Sequence, residues 1–438
     1  MDFFKKTGYL WVFILAIIPV LYLLIFPGDS VSFSNFSNSM RSIGKILGLC
    51  GMVLFSITLL LNTRLKFTEK LFFGLDKTYK AHHNIGIISF LLLLFHPLFL
   101  ASQFITSSIV VAAKFLLQIS NLAITLGNFA LFSMELFLIL TFISKFKYQT
   151  WKFNHKLLGF SYILASLHVL LISSDVSRSI FLKSYMVLFI IIGIGSFSYR
   201  TLFWKKFVKR YEYTVKSIKQ IGNLTEITLE TKDKPLNYIP GQFAFLSIES
   251  DITTNEPHPF TICSSPNKKD IIFSIKDLGD YTANLKNVKV GSKVKLEGPF
   301  GKFSFVNHHS NNYIFISGGI GITPFISMIR SIDDSPGSFD GDNIDLYYSV
   351  KTEKECVFLK ELKEISNKIS KTKKLNIYPF ISEKSGLLNL EYIKNNSKYL
   401  SNSKIFICGP PNMMNSIKKQ LISFGINKKN IITEEFGL

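Results

Sequence analysis

Long apolar runs dominate the first 204 residues of this 438-residue chain. Each run is close to the roughly 20 residues that an α-helix needs to cross a bilayer. Beyond residue 204 the sequence becomes polar and reads as short strands, turns and helices, which indicates a soluble module. We therefore predict one membrane domain followed by a globular part. The predicted spans cover approximately residues 8–26, 42–61, 82–102, 122–144, 155–172 and 185–204, and residues 107–118 are predicted to be an interfacial segment outside the bilayer.

The distribution of basic residues predicts the orientation of these spans. Lysine and arginine are concentrated in the connections that follow even-numbered spans, and the alternate connections are poorer in them. The positive-inside rule then places both termini in the cytoplasm. We expect an integral protein of the plasma membrane. The first run follows Lys5 and Lys6, but it is long and has no small-residue cleavage site after it, so we interpret it as an uncleaved span.

The net charge of +20 does not require nucleic acid, because much of the excess lies beside the predicted spans and would face anionic lipid. No basic groove interleaved with aromatic residues stands out, so we expect no nucleic-acid partner. The four cysteines show no pairing pattern, and a disulfide framework is not expected.

Four histidines lie within the apolar region as two spaced pairs, His82 with His96 and His155 with His168. Ionisable groups at membrane depth are costly and usually functional, and neutral imidazole is a standard axial ligand of haem iron. The first histidine of each pair begins a span at the cytoplasmic edge, and the second lies near the outer edge. We therefore predict an inner and an outer haem site, although polar contacts between helices would also use histidine.

Helix geometry supports the first pair better than the second. Fourteen residues bring His82 and His96 to within about 40° of one face, with a rise of roughly 21 Å. Thirteen residues leave His155 and His168 about 140° apart, so that helix would need local overwinding, a π-bulge or a bend. His83 is an alternative to His82, which we prefer because it lies nearer the face of His96.

A pair of glycines and a second pair of histidines lead to further predictions. Gly86 and Gly159 follow the inner histidines by four residues each, which suits either a macrocycle lying against the backbone or close helix packing. His308 and His309 lie in a polar loop and are expected to be exposed to solvent.

The soluble part begins with short alternating strands separated by Gly and Pro turns, typical of a small antiparallel barrel. One segment reads His-Pro-Phe-Thr at residues 258–261, and the residues alone favour a proline-marked strand entry without a ligand. A helix beginning near Tyr281 and Thr282 would direct its N-terminal amides at an anion such as a pyrophosphate.

A glycine-rich turn follows an apolar strand within residues 312–330. Gly318, Gly319 and Gly321 precede a helix that opens near Thr323 and Pro324. Glycines allow the backbone to approach a diphosphate, whose charge the helix N-terminus favours. Later strands in the segments 344–350 and 404–414 predict a parallel α/β sheet.

These motifs, taken in order, resemble the NADPH oxidase and ferric reductase superfamily, and the soluble half resembles its ferredoxin–NADP reductase-type module. The resemblance rests on His258-Pro259-Phe260-Thr261, on the glycine-rich turn at residues 318–324, and on Cys408-Gly409-Pro410. It also includes Glu434-Glu435-Phe436 and the spacing of the four membrane histidines. It implies a six-span helical domain with two haems at residues 1–206, an FAD-binding antiparallel β-barrel at 207–303, and an NAD(P)H-binding α/β domain at 304–438.

The resemblance also implies roles for individual residues. Thr261 would hydrogen-bond near the reactive edge of the flavin, with His258, Pro259 and Phe260 along its ring and tail. Lys276 and Thr282 would face the pyrophosphate. Phe436 would stack on the flavin and step aside for nicotinamide, and Cys408 would lie near the nicotinamide. The catalytic candidates are Thr261, Phe436 and Cys408; the metal ligands are His82, His96, His155 and His168; the NAD(P)H-binding residues are Gly318, Gly319, Gly321, Thr323, Pro324, Cys408, Gly409 and Pro410.

The function implied is electron transfer from cytoplasmic NAD(P)H through FAD and two b-type haems to an external acceptor. Oxygen, giving superoxide, is our first choice; a ferric or other metal chelate is the alternative, and a haem subunit that reduces a partner protein is the second. Ser349, Lys351 and Lys354 follow the second strand of the nucleotide domain without an arginine, so NADPH is expected with NADH possible. No regulatory insert or calcium-binding loop is present, so we expect constitutive activity without an obligatory regulatory subunit.

Overall fold

The computed structural model describes residues 2–26, 31–119, 121–142, 148–250, 252, 255–370 and 373–435. The chain forms two compact units, Met1–Phe207 and Val208–Leu438, which we call the helical unit and the reductase unit.

The helical unit consists of long α-helices that follow the apolar runs of the sequence, with shorter helices between them. In chain order they are α1 (Asp2–Ile25), α2 (Phe36–Leu61), α3 (Lys66–Phe72), α4 (Leu75–Ser102), α5 (Ile109–Leu116), α6 (Leu122–Phe142), α7 (Tyr148–Leu171), α8 (Asp175–Arg178), α9 (Ile180–Ser198) and α10 (Trp204–Phe207). A π-helical turn at Tyr199–Phe203 joins the last two. α2 packs along α4 and α9, and α6 packs along α7.

Within the described residues, five helices are long and apolar enough to cross a membrane, judged by length and composition. They are Thr7–Ile25, Phe36–Leu61, Leu75–Ser102, Leu122–Phe142 and Ile180–Phe203. The predicted fifth span lies in α7, which has 24 residues but is not among these five. Its N-terminal turns carry Lys152 and Lys156, so the helix is less apolar than its neighbours.

The helices α4 and α7 both begin seven residues before the apolar runs predicted from the sequence. Their first two turns are polar, and a hydropathy pattern marks the apolar part of a helix rather than its end. The predicted interfacial segment contains the short helix α5, on which Ile109 and Val110 are exposed.

The reductase unit begins with a six-stranded antiparallel sheet in the order β4-β3-β6-β1-β2-β5. Its two edge strands meet at a bridge between Ile262 and Phe273, and Leu246, Ile248 and Leu296 belong to the apolar core of this sheet. The strands are β1 (Tyr211–Ile221), β2 (Leu224–Glu230), β3 (Phe243–Ile248), β4 (His258–Thr261), β5 (Ile271–Lys276) and β6 (Lys293–Phe300), with the short helix α11 (Asp280–Asn284) before β6.

A five-stranded parallel sheet follows, in the order β11-β10-β7-β8-β9. The chain order reverses between β7 and β10, and in open α/β sheets ligands bind at the carboxyl ends of strands at such a point. The elements are β7 (Asn312–Gly318), α12 (Thr323–Asp334), β8 (Asn343–Val350), α13 (Leu359–Ile369), β9 (Lys374–Ile381), α14 (Ser382–Ser385), α15 (Leu390–Asn396), β10 (Lys404–Cys408), α16 (Pro411–Ser423) and β11 (Ile431–Glu434).

Candidate functional site

The inner histidines lie side by side in the helical unit. The imidazole centroids of His82 on α4 and His155 on α7 are 5.9 Å apart. Two imidazoles that bind one iron from opposite sides, with metal–nitrogen bonds of about 2 Å, place their centroids roughly 6 Å apart. The spacing of this pair therefore fits a bis-histidyl haem.

Hydrogen bonds to the backbone leave three of the four imidazoles ready to bind metal. The Nδ1 atom of His82 lies 2.8 Å from the carbonyl oxygen of Thr58, and that of His96 lies 2.7 Å from the carbonyl of Gly44. The corresponding distance from His168 to the carbonyl of Ala123 is 2.7 Å. Because a carbonyl oxygen only accepts, each Nδ1 carries the proton and each Nε2 keeps its lone pair. Ligating histidines typically have this second hydrogen bond.

Glycines on the neighbouring helices give the outer imidazoles their space. A Cβ atom at Gly48 on α2 would lie 2.6 Å from His96 Nδ1, and one at Gly127 on α6 would lie 2.8 Å from His168 Nδ1. His96 and His168 also lie near one another in the helical unit. The imidazoles of His96 and His168 thus occupy the space that Gly48 and Gly127 leave free. Both glycines are visible in the sequence, but the spacing of the histidines did not point to them.

The thirteen-residue interval is accommodated without the distortion considered above. α7 is α-helical throughout, and the π-helical turn of this unit lies at Tyr199–Phe203 instead. The two imidazoles of α7 point to different neighbours: His155 lies beside α4, whereas His168 donates to α6. They need not share one face, because a separate helix orients each.

The structure distinguishes the two candidates for the inner ligand. His82 contacts His155 and Thr58, whereas His83 is exposed and lies beside Phe142, with ring centroids 6.4 Å apart. Gly159 matches the close-packing interpretation, since a Cβ there would lie 2.0 Å from the ring of Phe197. Gly86 faces Thr58 at an ordinary contact distance of 3.5 Å.

Aromatic rings define the candidate flavin site. His258, Pro259, Phe260 and Thr261 form β4, which pairs with β3. The ring of Tyr281 on α11 stacks on His258 at a centroid distance of 3.8 Å and lies at 15° to Phe260. The hydroxyl of Tyr281 is buried and has no hydrogen-bond partner among the described residues, as expected beside a site that a polar ligand completes. The sequence predicted Tyr281 only near the start of a helix, without this contact to His258.

The residues expected at the pyrophosphate already have partners within the protein. Thr282 accepts hydrogen bonds from the amides of Leu278 and Gly279 and so caps α11. Lys276 lies 3.6 Å from Glu355 in an ion pair between the antiparallel and the parallel sheet regions. Phe436, the expected flavin lid, lies outside the described residues.

The two candidate nucleotide loops meet at the carboxyl ends of β7 and β10, where the strand order reverses. A Cβ at Gly321 would lie 2.4 Å from the carbonyl oxygen of Cys408, and one at Gly409 would lie 2.9 Å from Gly318 Cα. Only glycine permits this contact between backbones. Gly319 has a φ of +54°, and no described atom lies within 4 Å of its Cβ position, so the turn is open on that side. This notch suits the close approach of a diphosphate.

The helix α12 begins directly after the glycine turn. Thr323 donates a hydrogen bond to the carbonyl of Ile320, and Pro324 lies in the first turn. Pro410 lies in the second loop, the one that follows β10, and Gly318 packs closely against it. The structure thus brings all the predicted nucleotide-binding residues to one edge of the sheet.

Cys408 is fully buried at the end of β10, in register with Ser317 and Glu434 on the flanking strands. Burial raises the pKa of its thiol well above the ordinary value, and the charge of Glu434 raises it further. The thiol is therefore neutral at pH 7, which argues against a nucleophilic thiolate at this position.

Arg330 links two parts of the reductase unit, a contact that the sequence did not predict. On α12, its guanidinium forms a two-pronged ion pair with Glu361 at 2.6 and 2.9 Å and donates to the carbonyl of Cys263 at 3.1 Å. It thereby ties the segment after Thr261 to the nucleotide-binding sheet. A lone arginine within an apolar helix was the available signal.

The expectation for His308 was wrong. Its side chain is 5% exposed and packs edge-on against Phe406, because the loop folds over the end of the parallel sheet. His309 is exposed as expected and lies 2.9 Å from Asp340.

The candidate 2′-phosphate residues follow β8. Ser349 is buried at its end, while Lys351 is exposed and lies 3.9 Å from Glu383. Lys354 lies farther along the same connection and is also exposed.

Three successive segments of the chain match known protein families. Residues 47–166 match the family described as ferric reductase like transmembrane component. Residues 213–305 match the oxidoreductase FAD-binding domain, and residues 315–419 match the oxidoreductase NAD-binding domain.

Two curated relatives illustrate the range of similar proteins. Flavohemoprotein A of Dictyostelium discoideum is 28% identical over 51% of this chain and 59% of its own length. A glycine betaine monooxygenase reductase subunit of Pseudomonas aeruginosa is 30% identical over 47% of this chain and 58% of its own length. The chain thus spans less than two thirds of the length of these relatives.

Among solved structures, a flavohemoglobin from Malassezia yamatoensis with bound FAD and heme matches 91% of this chain and 97% of its own, with a TM-score of 0.51. At 17% identity this likeness shows the fold alone.

The three family matches follow one another in chain order and place an apolar, helix-rich membrane component before an FAD- and NAD-binding oxidoreductase module. The chain therefore matches the NADPH oxidase and ferric reductase superfamily, with a reductase module of the ferredoxin–NADP reductase type.

Proposed function

We propose that this protein transfers electrons from cytoplasmic NAD(P)H across the plasma membrane to an acceptor outside. The observation that carries the proposal is the arrangement of four histidines on two helices, of which three donate Nδ1–H to a backbone carbonyl and two have the ring spacing of bis-histidyl ligation. The reductase unit supports it with a nicotinamide- and flavin-binding module in the same chain.

The four histidines would hold two b-type haems. His82 and His155 serve the inner site, and His96 and His168 the outer one. The carbonyls of Thr58, Gly44 and Ala123 orient three of these rings and make them more basic donors, because a hydrogen bond at Nδ1 increases electron density at Nε2.

The reductase unit would hold FAD on the surface formed by β4 and Tyr281, and NAD(P)H at the notch between the glycine turn and Cys408-Gly409-Pro410. When bound, the flavin exchanges a hydride for single electrons and the haems carry single electrons. Thr261 supplies a hydroxyl at the end of β4, and Cys408 supplies a small neutral side chain beside the nicotinamide. Phe436 is proposed, from the family resemblance, as the aromatic ring that leaves when nicotinamide docks.

The nucleotide is proposed to be NADPH, with NADH also accepted. Lys351 and Lys354 follow β8, where a 2′-phosphate would lie, and lysine binds phosphate as a point charge without the two-pronged geometry of arginine. A modest preference for NADPH is therefore expected.

We propose six spans, with α7 as the fifth and both termini in the cytoplasm. α7 is 24 residues long, enough for a bilayer, and packs along α6, which is itself long and apolar enough to span. Its polar residues Lys152 and Lys156 then lie in the cytoplasmic interface, where long basic side chains reach water.

Oxygen is the proposed acceptor, with superoxide as the product. A small neutral molecule needs no broad entrance, whereas a metal chelate does. The similarity of residues 47–166 to a ferric reductase component specifically favours the alternative acceptor, a ferric chelate.

The proposal is tested in sealed proteoliposomes that contain the purified full chain with FAD and haem. NADPH added outside reaches only chains whose reductase unit faces outward, and the acceptor is enclosed in the lumen. We expect reduction of enclosed cytochrome c that enclosed superoxide dismutase suppresses.

Two other results would change the proposal in different ways. Reduction of an enclosed ferric chelate without superoxide would make oxygen the wrong acceptor. Oxidation of NADPH with an external dye, but with no enclosed acceptor reduced, would contradict transfer across the membrane.

A further inference from the structure

His155 differs from the other three histidines in how its ring is held. Its Nδ1 atom is buried and has no hydrogen-bond partner among the described residues. The Nδ1 atoms of His82, His96 and His168 each donate to a helix carbonyl. A hydrogen bond at this atom normally fixes the orientation of a ligating imidazole. Another contact must therefore orient the ring of His155.

That contact is the indole of Trp151. The two residues are four apart on α7, so their side chains lie on one face of the helix. Their rings are stacked almost parallel, with centroids 5.4 Å apart and an interplanar angle of 6°. Parallel stacking restricts rotation of the imidazole about its Cβ–Cγ bond, which is otherwise a broad, weakly restrained torsion.

We propose that Trp151 is the positioning residue of the inner haem site, holding His155 by ring stacking where the other histidines use a hydrogen bond. This inference rests on the proposed haem-binding function. It makes the two sites unequal. Both outer imidazoles donate to carbonyls, whereas the inner site combines one hydrogen-bonded ligand, His82, with one stacked ligand, His155.

The stacked ligand forms the weaker bond to iron. Without an acceptor at Nδ1 its imidazole is less basic, and lower basicity weakens its bond to ferric iron more than its bond to ferrous iron. The inner site should therefore have the higher midpoint potential of the two. Loosening the stack should affect that site alone.

A tryptophan near the cytoplasmic end of a span has an ordinary explanation, since tryptophan is enriched at membrane interfaces. That role requires an amphipathic ring but no particular angle to His155. Phe153 provides the matched control, because it is two residues away on α7 and its side chain is 62% exposed.

The test compares Trp151→Ala, Trp151→Leu, Trp151→Phe and the control Phe153→Ala in the purified full chain. The readouts are the absorption spectrum, carbon monoxide binding to the reduced protein, and a redox titration of both haems. In the alanine and leucine variants we expect one haem to bind carbon monoxide or to be lost, with the other component unchanged. A tenfold weakening of the ligand for ferric relative to ferrous iron corresponds to an upward shift of about 59 mV.

The phenylalanine variant keeps an aromatic plane and should resemble the wild type, as should Phe153→Ala. A wild-type spectrum, no carbon monoxide binding and unchanged potentials in Trp151→Leu would overturn the proposal, because leucine preserves apolar volume without a ring to stack. If Trp151→Ala fails to fold, the comparison of the leucine variant with the phenylalanine variant tests the proposal. Wild-type protein without haem would instead overturn the proposed function.

Discussion

The two units of this protein position their candidate sites by different means. In the helical unit, side-chain hydrogen bonds position the site, since His82, His96 and His168 donate to carbonyls of neighbouring helices. In the reductase unit, close contact between backbones positions the site, because Gly321 and Gly409 let two loops meet where any Cβ would clash. The helical unit should therefore be sensitive to removing a functional side chain, and the reductase unit to adding a methyl group.

The largest expected effect is the loss of a haem ligand. Purified protein should show the low-spin spectrum of two b-type haems. His96→Ala or His168→Ala should remove the outer haem, and His82→Ala or His155→Ala the inner one. FAD content should not change, because the flavin site lies in the other unit. His83→Ala is the matched control and should keep both haems; two haems retained in any of the four ligand variants would refute that assignment.

The converse change adds a single methyl group to the reductase unit. In Gly321→Ala the new Cβ would lie 2.4 Å from the carbonyl oxygen of Cys408, so the two loops must separate. We expect the Kd for NADPH to rise by at least roughly tenfold, or about 1.4 kcal/mol, with a normal haem spectrum. The control is Gly337→Ala, where no described atom lies within 4 Å of the Cβ position. Equal NADPH affinity in the two variants would remove the loops from the binding site.

The helical unit also depends on a glycine, Gly127, whose missing side chain leaves space for His168. Substituting it should have a smaller effect than Gly321→Ala has in the reductase unit. A methyl group at Gly127 would press on His168 at 2.8 Å, and an imidazole can shift more easily than a backbone carbonyl. Gly127→Ala should therefore keep two haems but shift the midpoint potential of the outer one. Gly195→Ala, with no described atom near its Cβ, should leave both potentials unchanged. If both variants titrate like the wild type, the space that Gly127 leaves does not hold the ligand.

The smallest expected effect concerns separation of the units. A fragment of about residues 206–438 should bind FAD and reduce a soluble dye with NAD(P)H at a rate close to that of the full chain, because the reductase unit is compact by itself. Dye reduction and bound flavin measure this directly. A folded, soluble fragment unable to bind FAD under saturating conditions would show that the flavin site requires the helical unit.

The sequence predicted the helical unit well at the level of positions and less well at the level of geometry. Long apolar runs located the helices, and the spacing of the histidines singled out the four imidazoles that α4 and α7 carry. They did not locate the helix ends, since the first turns of α4 and α7 are polar. Nor did they explain the interval of thirteen residues between His155 and His168, because the orientation of each imidazole depends on the neighbouring helix that it contacts.

In the reductase unit the motifs predicted which residues meet, because glycine turns and strand ends are local features. Contacts between distant segments were missed. The stacking of Tyr281 on His258 and the ion pair of Arg330 with Glu361 depend on how separate elements pack. The burial of His308 has the same origin, because its polar neighbours predicted exposure while the fold covers it.

The central claim is that one chain connects a nicotinamide site to haem. Its most direct test is to mix the purified full chain, loaded with FAD and haem, with NADPH in the absence of oxygen and to follow the haem absorption. We expect the haems to become reduced without an added mediator, and FAD-depleted protein to remain oxidised until FAD is restored. Haems that stay oxidised in FAD-replete protein, while the same sample reduces a soluble dye, would contradict the account.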